Sequence, residues 1–154
     1  MRFDLDELAA PLERLRPEVE QAYASLETDW AAITERLRTL PIPQRVVVEL
    51  PPWGQNVDRT LEWRKHSGSW RFCLVHTRPP KPGRPNGQGK RSPRPNGQPN
   101  VAQPHVEVRP LEQWTGQERM NTLQYVPALF EQAEKQTRAF IRKAGDGCKT
   151  TAAA

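Results

Sequence analysis

Two alternating runs meet at Ser67-Gly68, and their spacing fixes more of the fold than any other stretch of the chain. Apolar and polar residues alternate from Thr60 to His76 on both sides of His66-Ser67-Gly68-Ser69, which is the period of half-buried strands around a turn. A two-residue loop at Ser67-Gly68 and a four-residue loop from His66 to Ser69 give the same register. Lys65 then faces Trp70, Arg64 faces Arg71, Trp63 faces Phe72, Glu62 faces Cys73 and Leu61 faces Leu74. Opposed residues share a face. One face holds Leu61, Trp63, Trp70, Phe72 and Leu74, with Lys65 near the turn, and is expected to pack on helices. The other holds Glu62, Arg64, His66, Arg71, Cys73 and Val75, and is expected to be polar and solvated.

The partners of the apolar face lie at the two ends of the chain. Leu8, Leu12, Leu15, Val19, Ala22, Leu26, Trp30, Ile33, Leu37 and Leu40 recur in steps of three and four, which predicts helix over residues 4–40. Pro11 and Pro17 each remove an amide donor, so a break is expected near Arg16-Pro17, with Pro17 in the first turn of the longer second piece. Within this helix the 12-15-19-22-26 spacing is that of a coiled-coil seam, and it shifts at 30-33-37-40. Thr115-x-x-Glu118 has the form of a capping box and opens a second helix to about residue 143. Its stripe runs from Met120 to Ile141, and Pro127 is expected to kink or divide it. Arg45 to Leu50 and His105 to Arg109 read as further strands, which places strands over 44–77 and 105–109. Residues 145–154 look like a frayed, disordered tail.

Residues 78–104 cannot join this core. Val101 and Ala102 are their only aliphatic residues, Pro and Gly dominate, and Arg84-Pro85-Asn86-Gly87-Gln88 recurs ten residues later as Arg94-Pro95-Asn96-Gly97-Gln98. A disordered loop is expected, inserted before the last strand. It carries Arg78, Lys81, Arg84, Lys90, Arg91 and Arg94 and no acid, or +6. The whole chain is +5, so the other 17 basic and 18 acidic residues sum to −1. The pI near 9.6 reports one segment rather than a basic domain. The expected fold class is therefore α+β. A small antiparallel sheet of three or four strands packs against a long N-terminal and a long C-terminal helix, in a single domain over 1–144.

Compartment follows from weaker signals. The N-terminus is charged and lacks the apolar core of a signal peptide, and no apolar run is long enough for a membrane span. Two cysteines, one in a strand and one in the tail, do not suggest a disulfide framework, so a reducing cytoplasm is expected. Arg outnumbers Lys 17 to 6 and Ala and Pro are frequent, the bias of GC-rich bacterial coding.

Four sets of residues invite chemistry. The loop cations, on a flexible backbone, can pair with phosphates and release counterions; no aromatic is interleaved to stack on bases. Pro79-Pro80-Lys81-Pro82-Gly83-Arg84 also has the form of a polyproline II ligand. On the open sheet face, Arg64, His66 and Arg71 form a candidate anion site, which Glu62 and Glu49 would tend to neutralise. Cys73-x-x-His76 looks like a metal pair, but positions three apart on a strand point to opposite faces. Finally, Trp30, Trp63 and Trp70 fall on core faces, whereas Trp53 and Trp114 fall in loops and are candidates for a partner surface.

No phosphate-binding loop, dinucleotide fingerprint, nucleophile elbow or zinc spacing is present in the sequence. No catalytic residue, cofactor or metal is expected. The Leu61–Lys65 and Gly68–Arg71 hairpin followed by the 120–141 helix resembles the layout of short bacterial proteins of unknown function, a resemblance that carries over no functional residue. The leading expectation is a protein-interaction or accessory module, with a protein partner or a homodimer, acting through its helices and loop tryptophans. The alternative is a nucleic-acid-associated protein that grips phosphates through residues 78–104 and the Arg64/Arg71 face.

Overall fold

The computed structural model describes residues 5–52, 54, 56–80 and 103–152. In chain order these form α1 (Leu5–Thr39), β1 (Val46–Leu50), β2 (Asp58–His66), β3 (Ser69–Arg78) and β4 (His105–Pro110). A 3₁₀ turn at Leu111–Gln113 leads into α2 (Gly116–Leu123) and α3 (Val126–Ala152). The strands form one antiparallel sheet in sequence order, β1-β2-β3-β4. The expected loop before the last strand, with Lys81, Arg84, Lys90, Arg91 and Arg94 and the proline pattern, lies outside the described residues apart from its flanks; so does Trp53.

The hairpin register is the one the alternation predicts, from Leu61↔Leu74 to Lys65↔Trp70. Of the two loop lengths, the chain adopts the shorter. His66 pairs with Ser69, and Ser67 and Gly68 both have positive φ, 50° and 83°. Two consecutive left-handed residues make the tight turn whose twist matches that of the flanking strands.

Both long helices cover one face of this sheet. Leu26, Trp30 and Leu37 of α1 and Val126, Leu129 and Ala133 of α3 bury with Val46, Leu50, Leu61, Trp63, Phe72 and Leu74. Trp30 sits at the centre. Its ring meets Phe72 edge-on at 5.1 Å and Trp114 edge-on at 5.3 Å, and its Nε1–H donates to the Arg119 carbonyl at 3.2 Å. Such pairs add about 0.5–1.5 kcal/mol each beyond the area they bury.

Of three expectations about the helices, the division at Pro127 is met and the other two change. α1 is one unbroken helix that contains both Pro11 and Pro17, rather than two pieces. Pro11 and Pro17 take the helical donor from the Glu7 and Glu13 carbonyls, and both residues are exposed, so water can hydrate them. The second helix is divided, with α2 ending at Leu123 and Pro127 placed in the first turn of α3. Proline is tolerated there because first-turn amides have no helical partner, whereas a continuous helix would leave the Leu123 carbonyl unsatisfied and crowded. The backbone of α3 continues through Gly145 and Gly147 to Ala152, so residues 145–152 of the expected tail are helical. Each glycine costs about 1 kcal/mol of helix propensity, less than is needed to end a helix already propagating.

Candidate interaction surface

The open face of the sheet is not the solvated polar surface the alternation suggests. Glu62, Cys73 and Val75 are buried on it although neither long helix contributes to that side. Glu62 there is held in a cluster of arginine and threonine side chains. Arg64 donates from Nη1 to Glu62 Oε2 at 3.1 Å, and Arg45 Nε, just before β1, reaches the same oxygen at 3.3 Å. Thr60 Oγ1 donates to the other oxygen at 3.1 Å. Arg71 donates to Ser69 Oγ at 2.6 Å and pairs with Glu112 of the 3₁₀ turn at 3.6 Å.

Arg64 and Arg71 do face each other across the hairpin, and His66 stands two residues beyond Arg64 at its turn end. Each of the two arginines is therefore met by a carboxylate, so an anion at this face would compete with Glu62 and Glu112. Glu62 as a neutraliser is legible in the alternation; Glu112 is not, because it arrives from beyond β4. The Cys73 thiol, opposite Glu62, is pushed up to about 11 chiefly by burial. It is protonated at neutral pH and so a poor nucleophile or metal ligand. Cys73 and His76 lie on opposite faces of β3. Among the described residues no group of three or more His, Cys, Asp or Glu side chains is placed to hold a metal ion.

A second polar cluster lies on the helix side, at the far end of the sheet. Arg109 of β4 clasps Glu118 of α2 with two bonds, 2.6 and 3.0 Å. The same carboxylate accepts from the Thr115 amide at 2.8 Å, while Thr115 Oγ1 accepts from the Glu118 amide, closing the capping box. Burial alone would raise the Glu118 pKa; the hydrogen bonds from Arg109 and Thr115 and the arginine's charge outweigh it and hold the carboxyl below its ordinary 4.5. His76 is buried nearby. Burial, reinforced by the charge of Arg59, lowers its imidazole below 6.5. These contacts tie β4 to α2 and present no nucleophile to solvent.

Trp114 belongs to this tie and not to a partner surface. It is buried, rests edge-on against Trp30, and donates from Nε1 to the Arg109 carbonyl at 2.8 Å. A tryptophan just before a helix cap reads as loop surface. It joins the core cluster, in contact with a ring 84 residues earlier in the chain.

The surface that lacks internal partners is apolar and helical. Leu12 of α1 is 72% exposed, and Leu15, Val19 and Tyr23 are each about half exposed. The stripe loses contact with the body at Tyr23, whose ring lies so close over Gly116 that an added Cβ would overlap it. At the other end of the molecule's helical layer, Phe140 and Ile141 of α3 are more than half exposed. Between α3 and the α1–β1 connection runs an apolar groove of about 540 Å³, lined by Leu40, Ile42, Phe130, Ala133 and Ile141 among others. A smaller one of about 330 Å³ shares Leu40 and Ile42 and extends to Trp63 and Trp70. No described helix is long and apolar enough to cross a membrane.

No protein-family model, curated protein or solved structure matches the chain.

Proposed function

We propose that this chain is a small cytosolic protein-interaction or accessory module, not itself catalytic, whose working surface is the overhanging half of α1 together with the end of α3. One observation carries this reading: fifteen consecutive residues of α1, 11–25, are exposed, and the apolar edge Leu12, Leu15, Val19 and Tyr23 lies among them. Burying a leucine or valine side chain is worth about 1.5–3 kcal/mol, which this edge forgoes within one chain. Short isolated helices are marginal in water, so an amphipathic helix standing clear of its domain gains most from a partner that covers the apolar edge. Tyr23 suits the rim of such a contact, with an apolar ring and a polar tip.

The test replaces Leu12, Leu15 and Val19 with glutamate. Far-ultraviolet circular dichroism should keep its helical signal, because those side chains bury little in the fold. Binding, followed by light scattering for self-association and by affinity capture for other proteins, should be lost. A wild-type chain that is strictly monomeric and captures nothing would remove the basis of the reading. The nucleic-acid alternative has less support in the folded part, since Arg64 and Arg71 are already engaged by Glu62 and Glu112.

A further inference from the structure

We infer that the smaller groove, at the hairpin end of the sheet, binds a small planar aromatic anion, a flat ring carrying one carboxylate or phosphate group. The site goes beyond the interaction reading and does not use the α1 edge. Leu37, Leu40 and Ile42 line it with apolar side chains, Trp63 and Trp70 with aromatic rings, and Arg38 is its only charged lining residue. Its volume, about 330 Å³, falls at the lower end of the usual range for small-molecule sites.

The two indoles specify a flat ring. Trp63 and Trp70 lie nearly parallel, at 18° with centroids 6.3 Å apart. Trp63 is closed into the core at 2% exposure, whereas Trp70 is only partly buried. A ring entering the groove meets Trp70 in the offset or edge geometries that aromatic pairs favour, with aliphatic side chains around it.

Charge specifies the anion. No carboxylate lines this groove. The 540 Å³ groove, by contrast, carries Glu131 and Glu134, and a third of about 460 Å³ beside Trp30 carries Glu27, Glu35 and Glu112. Lys65 stands directly opposite Trp70 in the hairpin register and therefore on the same face, within reach of the groove's rim. It is exposed, and none of the ion pairs among the described residues uses it. Arg38 borders the third groove as well and meets Glu35 there, but at 3.7 Å and with both side chains largely in water. So loose a surface pair yields readily to an anion held between two cations. Glu112, the other acid in reach of that border, is drawn to Arg71 on the opposite face of the sheet.

The experiment is a titration of the full-length, ¹⁵N-labelled chain, followed by amide and indole N–H resonances at low ionic strength. The probes are 2-naphthoate and adenosine 5′-monophosphate, each beside its neutral counterpart, 2-naphthalenemethanol and adenosine. At least one anion should shift the Trp70 indole N–H and the Ser69 and Leu40 amides, with a dissociation constant of about a millimolar or below. The tighter of the two assigns the headgroup, and added salt should weaken it. Its neutral counterpart should bind at least about fivefold more weakly. Lys65→Glu/Arg38→Glu should raise the dissociation constant at least about tenfold, and Trp70→Leu should raise it similarly by removing the aromatic face. Circular dichroism checks the fold; should Trp70→Leu lose helix, the exposed Lys65→Glu/Arg38→Glu variant decides. The inference is overturned if neither anion gives saturable shifts at Trp70, if the neutral counterparts bind as tightly, or if the shifts centre on Leu12–Tyr23. The Leu12/Leu15/Val19 glutamate variant should bind the anion as the wild type does, so loss of protein capture in that variant tests the interaction reading and leaves this site standing.

Discussion

The two halves of α1 carry the same three-and-four spacing of apolar residues and meet different fates. Leu26, Trp30 and Leu37 are buried against the sheet, while Leu12, Leu15, Val19 and Tyr23 stand in water. Nothing local separates them. The covered half has Phe72, Trp63 and Trp114 within reach, and the other half has passed the edge of the domain at Tyr23. Periodicity therefore announces that a face exists and leaves open what lies against it. Both prolines of α1 fall in the uncovered half, where lost backbone hydrogen bonds are replaced by water at low cost.

Substitutions can break the contrast. Trp30→Ala in the covered half should cost about 3–5 kcal/mol, the range for deleting a buried tryptophan, and urea denaturation should show it. Leu15→Ala in the uncovered half should stay within about 0.5 kcal/mol in a dilute, dissociated sample. Equal losses at the two sites would mean that the overhanging half is covered by its own chain after all.

A smaller effect is expected where α2 is fastened beside the covered half. Glu118→Gln removes a charge-assisted pair with Arg109 and should cost about 1.5–3 kcal/mol at neutral pH. Because the folded-state pKa of Glu118 lies below its ordinary value, this contribution is full above pH 4.5 and is lost as pH falls through the lower folded value. Thermal melts of wild type and variant should then converge in acid. His76, also held below its ordinary value, adds loss of stability in the same direction once pH drops under 6.5.

The smallest effect is expected at the boundary itself. Gly116→Ala pushes the Tyr23 ring off α2, but that ring is half exposed and can swing into water. Stability should change by less than about 1 kcal/mol, the gain in helix propensity offsetting part of the lost contact. Tyr23 fluorescence quenching by a soluble quencher should rise.

The hairpin was readable because its register depends on a turn and on alternation, both local. The capping box at Thr115 and Glu118 was readable for the same reason. The burial of Glu62 and Cys73 was not, since Arg45 and Glu112 reach the open face from before β1 and after β4, and sheet order is not a local property. The burial of Trp114 is not legible locally, because its core neighbours include Trp30 on α1, far away in the chain. The exposed arm of α1 was half readable. Its seam spacing is plain in the sequence, and its lack of cover is a fact of three dimensions.

The sheet also carries an asymmetry in time. β2 and β3 close over the two residues Ser67 and Gly68, whereas Arg78 and His105 pair across residues 79–104, a span of 26. On loop-closure entropy alone the second pairing is harder by about 2 kcal/mol. The hairpin is thus expected to form early and β4 to dock late, bringing Arg109 to Glu118 and Trp114 to Trp30 only near the end. Weakening the hairpin should slow folding, and weakening β4 should chiefly hasten unfolding.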